Sequence, residues 1–259
     1  MTSPVGQRPV ALVTGGSRGV GASTAVQLAQ YGYDVVVTYR NKAARAEEVV
    51  AKVVAAGGQG LAIGGDMTVA ADRAALAEAV GSWAGRLDLL VLNASGGLER
   101  EIVAANPEYP MTINRDAQLA TLDAVLPMLA AATDGGTVIF VTSHWAHLYG
   151  EVVQLPAYDP VASSKHAGEQ GLRARLEELS GRSIRLAVIT GDLIEGTITP
   201  KLLERAMPGM TAEAKDRAGA LPTTEDMAAA IVGAATNHDL ATGETVVIGG
   251  DLASLPRLA

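Results

Sequence analysis

The densest chemistry in the chain lies near its start, where Thr14-Gly15-Gly16-Ser17-Arg18-Gly19-Val20-Gly21 follows the apolar run Val10–Val13. Residues without a β-carbon let a chain bend tightly and bring its amides against a pyrophosphate at a helix N-terminus. A strand before the cluster and a helical pattern after it supply the context that such a turn needs. The spacing therefore predicts a dinucleotide site built from Gly15, Ser17, Arg18, Gly19, Val20 and Gly21. The end of the second apolar run reads Val37-Thr38-Tyr39-Arg40-Asn41, with no acid to bind a ribose 2′-hydroxyl. Arg40, with Arg18, offers a guanidinium clamp for a 2′-phosphate, since planar forks match phosphate oxygens. NADPH is the expected cofactor.

The elements that must position these residues alternate along the chain. Apolar runs at Val10–Val13, Asp34–Thr38, Gly60–Gly64, Leu87–Leu92, Gly136–Val141, Ile184–Val188 and Thr245–Ile248 read as buried strands. Helical patterns fall between them at Gly19–Gln30, Ala43–Ala55, Ala71–Trp83, Ile113–Ala131, Ser163–Glu178 and Thr224–Ala235. Strand, crossover helix and parallel strand predict an α/β fold, a single-domain Rossmann-like doubly wound sheet of about seven parallel strands with helices on both faces. The expected domain spans residues 1–259, without a repeat or linker. Gly191–Pro222 reads as an irregular substrate lid.

Composition narrows the function classes. The chain has 259 residues, 48% hydrophobic, enough for one large core. A net charge of −8 argues against nucleic acid and anionic membrane surfaces as partners. There is no cysteine, and four scattered histidines make no metal site. No apolar run is long enough to span a bilayer, and Met1–Arg8 lacks a signal peptide's apolar core, so a cytoplasmic protein is expected.

Further motifs make the chain resemble the short-chain dehydrogenase/reductase family from about residue 8 to residue 251. The glycine turn is similar to the family's Thr-Gly-x-x-x-Gly-x-Gly, Asn93-Ala94-Ser95-Gly96 to its Asn-Ala-Gly stretch, and Thr242-Gly243-Glu244 with Gly249-Gly250-Asp251 to its closing segment. The resemblance implies that Asp66 and Met67 lie beside the adenine and that Asn93, Ala94 and Ser95 border the nicotinamide. It also implies that Gly191, Leu193 and Ile194 complete the cofactor site, Asn114 helps to hold Lys165 through water, and Ser143 hydrogen-bonds a substrate carbonyl. Lys165 would bind the nicotinamide ribose. A symmetric dimer or tetramer is the common family assembly.

The departure is at Val161. The family's Tyr-x-x-x-Lys uses lysine to lower a phenol's pKa so that the phenol protonates the carbonyl oxygen. Four residues before Lys165 stands a valine, which transfers no proton. Tyr158, seven before Lys165, has a spacing similar to that of enoyl-thioester reductases of the same superfamily, which reduce a carbon–carbon double bond. Asp159-Pro160 is read as a turn behind it. The enlarged loop His144–Pro156 carries Trp145, His147 and Tyr149, which in a chain with 3% aromatics suggests a flat or aromatic substrate. Tyr149 is a second candidate donor, and His144 or His147 a third. The remaining source is the substrate: a phenol beside an aromatic ketone can polarise the carbonyl and give up its own proton, with Ser143 and Ser95 orienting the oxygen. That chemistry and Pro160–Glu169 resemble the atypical ketoreductases that tailor aromatic polyketides of the angucyclinone kind. The small-molecule partner is then an aromatic ketone. Enoyl reduction through Tyr158 and Lys165 is an alternative. A non-catalytic NADP-binding regulator is the other, and the presence of Asn114, Ser143 and Lys165 speaks against it.

Overall fold

The computed structural model describes residues 7–258; residues 1–6 and 259, which include most of the Met1–Arg8 segment and both ends of the expected domain, lie outside the described residues. Among the described residues seven strands, β1 (Val10–Val13), β2 (Asp34–Tyr39), β3 (Gly60–Gly64), β4 (Leu89–Leu92), β5 (Gly136–Ser143), β6 (Ile184–Gly191) and β7 (Glu244–Ile248), form one sheet in the order β3-β2-β1-β4-β5-β6-β7. Every pairing is parallel. The helices are α1 (Gly19–Gln30), α2 (Ala43–Ala55), α3 (Ala70–Ala84), α4 (Arg100–Ala105), α5 (Tyr109–Met111), α6 (Ala117–Ala130), α7 (His144–His147), α8 (Asp159–Arg173), α9 (Leu176–Gly181), α10 (Ile198–Ala206), α11 (Met210–Ala218) and α12 (Thr224–Thr236). The fold is the expected doubly wound Rossmann-like α/β domain.

Two cores sandwich the sheet because alternate residues of each strand face opposite layers. Val10 and Leu12 of β1, with Val138 and Phe140 of β5, join Leu76, Val80, Leu122 and Leu172 on one face. Ala11, Val13, Ile139 and Val141 join Leu28, Val49, Val53 and Ile231 on the other. Burial of each such leucine, isoleucine or phenylalanine stabilises by roughly 2 kcal/mol before conformational entropy is set against it. A third cluster lies beyond the C-terminal ends of the strands, where Trp145, Tyr158, Val161, Leu193, Leu203, Met210 and Leu221 pack together. It joins the enlarged loop to the 191–222 segment.

Several elements depart from the sequence expectation. Strand β4 starts at Leu89 and not Leu87, since the Asp88 carboxylate turns back to accept the Val10 amide at 2.7 Å and the Arg86 guanidinium. The helix expected over Ile113–Ala131 is interrupted by a π-helical turn, Thr112–Asp116, which has no compositional signature. Asp159-Pro160 is not a turn but the opening of α8, where proline needs no amide partner. The same expected helix ends at Arg173, and α9 follows separately. Nor is Gly191–Pro222 irregular: α10 and α11 occupy it. Among the described residues no helix is long and apolar enough to cross a membrane, and no cluster of His, Asp or Glu is arranged to hold a metal ion.

Candidate active site

The C-terminal ends of β1, β2, β4, β5 and β6 converge on two adjoining cavities. The smaller, about 600 Å³, is lined by Gly15, Ser17, Arg18, Gly19, Val20 and Gly21 of the glycine turn, by Arg40, Asp66 and Met67, and by Asn93, Ala94 and Ser95. Gly15 holds φ at +65°, which aims the turn back toward β4. Its amide donates to Thr38 Oγ1 at 3.0 Å, and Asn93 Nδ2 donates to Thr14 O at 2.9 Å, so β2 and β4 clasp the turn from both sides. Arg18 begins α1 in extended backbone without a side-chain cap, leaving first-turn amides directed outward. A β-carbon on Gly21 would come within 2.7 Å of Gly15 O. At Gly21 the turn has no room for a β-carbon, and its close backbone approach and outward amides fit a dinucleotide's phosphates.

Arg40 Nη1 donates to Tyr109 Oη at 2.6 Å and its guanidinium lies 5.9 Å from that ring's centre. Burial pushes the Tyr109 phenol up, against the pull of Arg40. Tyr109 was invisible to sequence reasoning, since nothing in Glu108-Tyr109-Pro110 signals a partner 69 residues away. Asp66 is held by Thr68, whose amide and hydroxyl both donate to Oδ1, at 2.9 and 2.8 Å.

The larger cavity, about 1370 Å³, has Ser143, Tyr158, Val161, Lys165, Ser95, Leu193 and Ile194 in its wall. Ser143 ends β5 opposite Gly191 of β6 and caps α7 by accepting the Ala146 amide at 3.3 Å. The Tyr158 hydroxyl donates to Ser143 Oγ at 3.0 Å, and burial raises the Tyr158 pKa while the Ser143 bond works the other way. Lys165 Nζ donates to Val141 O at 2.9 Å, and burial brings its pKa down from 10.5 to about 8. Asn114, in the π turn, does not reach the cavity wall. Its Oδ1 accepts Ser95 Oγ at 2.9 Å, and its Nδ2 donates to Gly96 O at 2.9 Å and Ser164 Oγ at 3.0 Å. Asn114 thus ties the turn after β4 to α8.

Other sequence candidates lie elsewhere. Gly191 lines neither cavity; it sits under Met227 and Ile194. Tyr149 is not in the wall either, and its ring packs 5.8 Å from that of His166. His144 is buried between Thr190 Oγ1 at 3.1 Å and Gly249 O at 2.7 Å. His147 bonds Glu169, at 2.8 Å through Oε1, and Glu169 also accepts Arg173 Nε at 2.8 Å. Only Trp145 of the enlarged loop's rings faces the larger cavity. The loop's histidines brace α7 against the sheet and α8, because each ring nitrogen named here is spent on a structural partner.

Burial alone would raise the Glu169 pKa, but His147 and Arg173 together outweigh it and hold the carboxyl below its ordinary range. A depressed carboxylate contributes stability above its unfolded pKa, and that contribution is lost as pH falls through the folded value. Glu169→Gln is therefore expected to cost about 3 kcal/mol at pH 7, and less as pH falls below the usual carboxylate range. Urea melts at pH 7 and pH 4 check this; an equal deficit at both would contradict it.

Fold and cavities define a dinucleotide-binding α/β oxidoreductase, with hydroxyl and amine groups suited to carbonyl/alcohol interconversion. The short chain dehydrogenase family model matches residues 9–206, and the chain belongs to that family. It is 31% identical over 256 residues, 95% of this chain and 87% of the relative, to 1-cyclohexenylcarbonyl-CoA reductase of Streptomyces collinus. It is 43% identical over 166 residues, 62% of this chain and 57% of the relative, to hydroxynaphthalene reductase arp2 of Aspergillus fumigatus. The Pseudomonas aeruginosa RhlG/NADP active-site complex superposes with a TM-score of 0.80 at 28% identity, covering 94% of this chain and 96% of that one.

Proposed function

We propose that this protein is an NADPH-dependent ketoreductase acting on a hydroxylated aromatic ketone of the polyketide, angucyclinone-like type, and that a substrate phenol supplies the proton. Bound NADPH supplies the hydride. Arg18 and Arg40 select the 2′-phosphate, the glycine turn and Asn93 hold the pyrophosphate end, and Lys165 holds the nicotinamide ribose. Ser143 and Tyr158 orient the ketone oxygen. The 191–222 segment closes over the substrate and excludes water.

One observation carries the proton assignment: the ammonium and the phenol are spent on different partners. Lys165 donates to Val141 O and Tyr158 to Ser143 Oγ. A buried phenol whose pKa is raised keeps its proton and can still donate a hydrogen bond, but giving that proton up leaves a phenolate in a desolvated site. A phenol on the substrate, already bonded to the ketone oxygen, protonates the alkoxide directly, and the phenolate it leaves stays in the larger cavity hydrogen-bonded to the new carbinol. Large volume and the apolar residues Trp145, Leu98, Ile102 and Leu202 suit a polycyclic ring system. The hydroxynaphthalene reductase relative is named for a substrate of that kind.

A second reading is reduction of an enoyl thioester with Tyr158 as the acid. Its support is the Tyr158-to-Lys165 spacing and the 1-cyclohexenylcarbonyl-CoA reductase relative. NADPH oxidation by the purified protein, with a phenol-bearing polycyclic ketone, its methyl ether and an enoyl-CoA, separates the two when products are identified by mass and NMR. We expect carbinol from the phenol, and methylation to cost on the order of a hundredfold. Tyr158→Phe is expected to cost about tenfold, one hydrogen bond's worth. A loss of several orders in Tyr158→Phe, with alkene reduction in the parent, transfers the assignment to the second reading; binding without turnover would mark a regulator.

A further inference from the structure

We infer that Lys201, on α10, contacts the 2′-phosphate of NADPH and makes closure of the 191–222 segment depend on that group. This rests on the NADPH reading above. The smaller cavity is lined on the β2 side by Arg40, Lys42 and Arg45, on the glycine turn by Arg18, and on the opposite wall by Lys201. Five cations thus border one 600 Å³ space in a chain of net charge −8. Two carboxylates line the same cavity, Asp66, bonded by Thr68, and Glu99, which accepts the Gly97 amide at 2.8 Å, so five cations face two anions. Like charges gathered around a cavity repel one another unless a polyanion occupies it.

The placement of Lys201 separates it from an ordinary surface lysine. Lys215 of the next helix has an acid, Glu195, at 3.3 Å, whereas no ion pair of Lys201 occurs among the described residues. Thr197 already lies on the glycine turn, since a β-carbon at Gly19 would be 3.7 Å from its Cγ2. Thr197 is the N-cap of α10, and Lys201 stands four residues on, in the helix's first turns, on the segment that Thr197 anchors against the glycine turn. Thr197 and Ile198 line both cavities, so a contact made by Lys201 pins the segment that also walls the substrate.

The test measures binding and protection rather than turnover. NADPH and NADH are titrated by nicotinamide fluorescence into the parent, Lys201→Met and Lys201→Arg, and trypsin cleavage of the 191–222 segment is followed with each nucleotide. Lys201→Met is expected to weaken NADPH roughly five- to tenfold, leave NADH unchanged and flatten the salt dependence, while Lys201→Arg keeps the parent's values. NADPH is expected to protect the segment better than NADH in the parent and equally in Lys201→Met. Unchanged NADPH affinity in Lys201→Met, or equal weakening of both nucleotides, overturns the inference. A parent that shows no preference for NADPH instead overturns the cofactor reading on which it rests.

Discussion

Lys165→Met is expected to melt at a higher temperature than the parent at pH 7 while losing roughly a thousandfold in kcat/KM with NADPH. The stability half follows from the Lys165 amine, which burial brings from 10.5 down to about 8. A folded pKa below the unfolded one means that the unfolded chain binds the proton more tightly between those values, so stability rises with pH across the window from about 8 to 10.5. Below pH 8 the full penalty applies, on the order of 3 kcal/mol, because the ammonium is charged in both states and desolvated in one. Methionine removes that penalty and gives back about 1 kcal/mol or more by leaving Val141 O without its donor. A net gain of about 1–2 kcal/mol corresponds to a few degrees in a chain of this size. Thermal melts from pH 6 to pH 10.5 check the sign: the variant leads at low pH and loses its lead as the parent's amine neutralises. A pH-independent difference, or a variant less stable at pH 7, would contradict the assignment. The activity half is separate, since Lys165 is proposed to hold the ribose with charge-assisted hydrogen bonds that methionine lacks.

The sheet was legible in the sequence because its strands are short, fully buried apolar runs bounded by turn residues. Val10–Val13 and Gly60–Gly64 match the structure residue for residue, as do helices α1 and α2. The glycine turn was legible for the same local reason. What sequence did not carry depends on contacts between distant residues. The π turn around Asn114 is stabilised through Gly96 and Ser164, and His147 is bound to Glu169, 22 residues on. Tyr109 meets Arg40 because the sheet order sets β2 and β4 on either side of β1, so the chain leaving their C-terminal ends comes together above the end of β1. Polar residues in α10 and α11 hid two helices whose buried faces are few, Pro200 and Leu203 among them. Val161 could be read as a missing acid, but only the structure brings Tyr158 to Ser143 from the preceding turn of chain.

Gly21→Ala should abolish useful cofactor binding, weakening NADPH by roughly a thousandfold, the worth of two charge-assisted amide–phosphate hydrogen bonds. The β-carbon would meet Asn93 Nδ2 at 2.6 Å and Gly15 O at 2.7 Å. Neither neighbour can yield cheaply. Gly15 O is backbone in a turn whose amide is fixed to Thr38, and Asn93 Nδ2 is the donor that clasps Thr14 O. Relief therefore opens the clasp between the glycine turn and β4, and moves the amides that the cradle presents. Overpacking of this kind costs about 1–3 kcal/mol of stability as well, so the variant should fold but melt lower. Gly181→Ala is the matched control, since a β-carbon there meets nothing within 4 Å and the helix gains propensity. Nucleotide titration of both variants, with amide hydrogen exchange across residues 13–21 and 91–95, reads the two effects apart. If Gly21→Ala bound NADPH within threefold of the parent, the glycine turn would not be the phosphate cradle, and the cofactor would have to lie elsewhere along the strand ends.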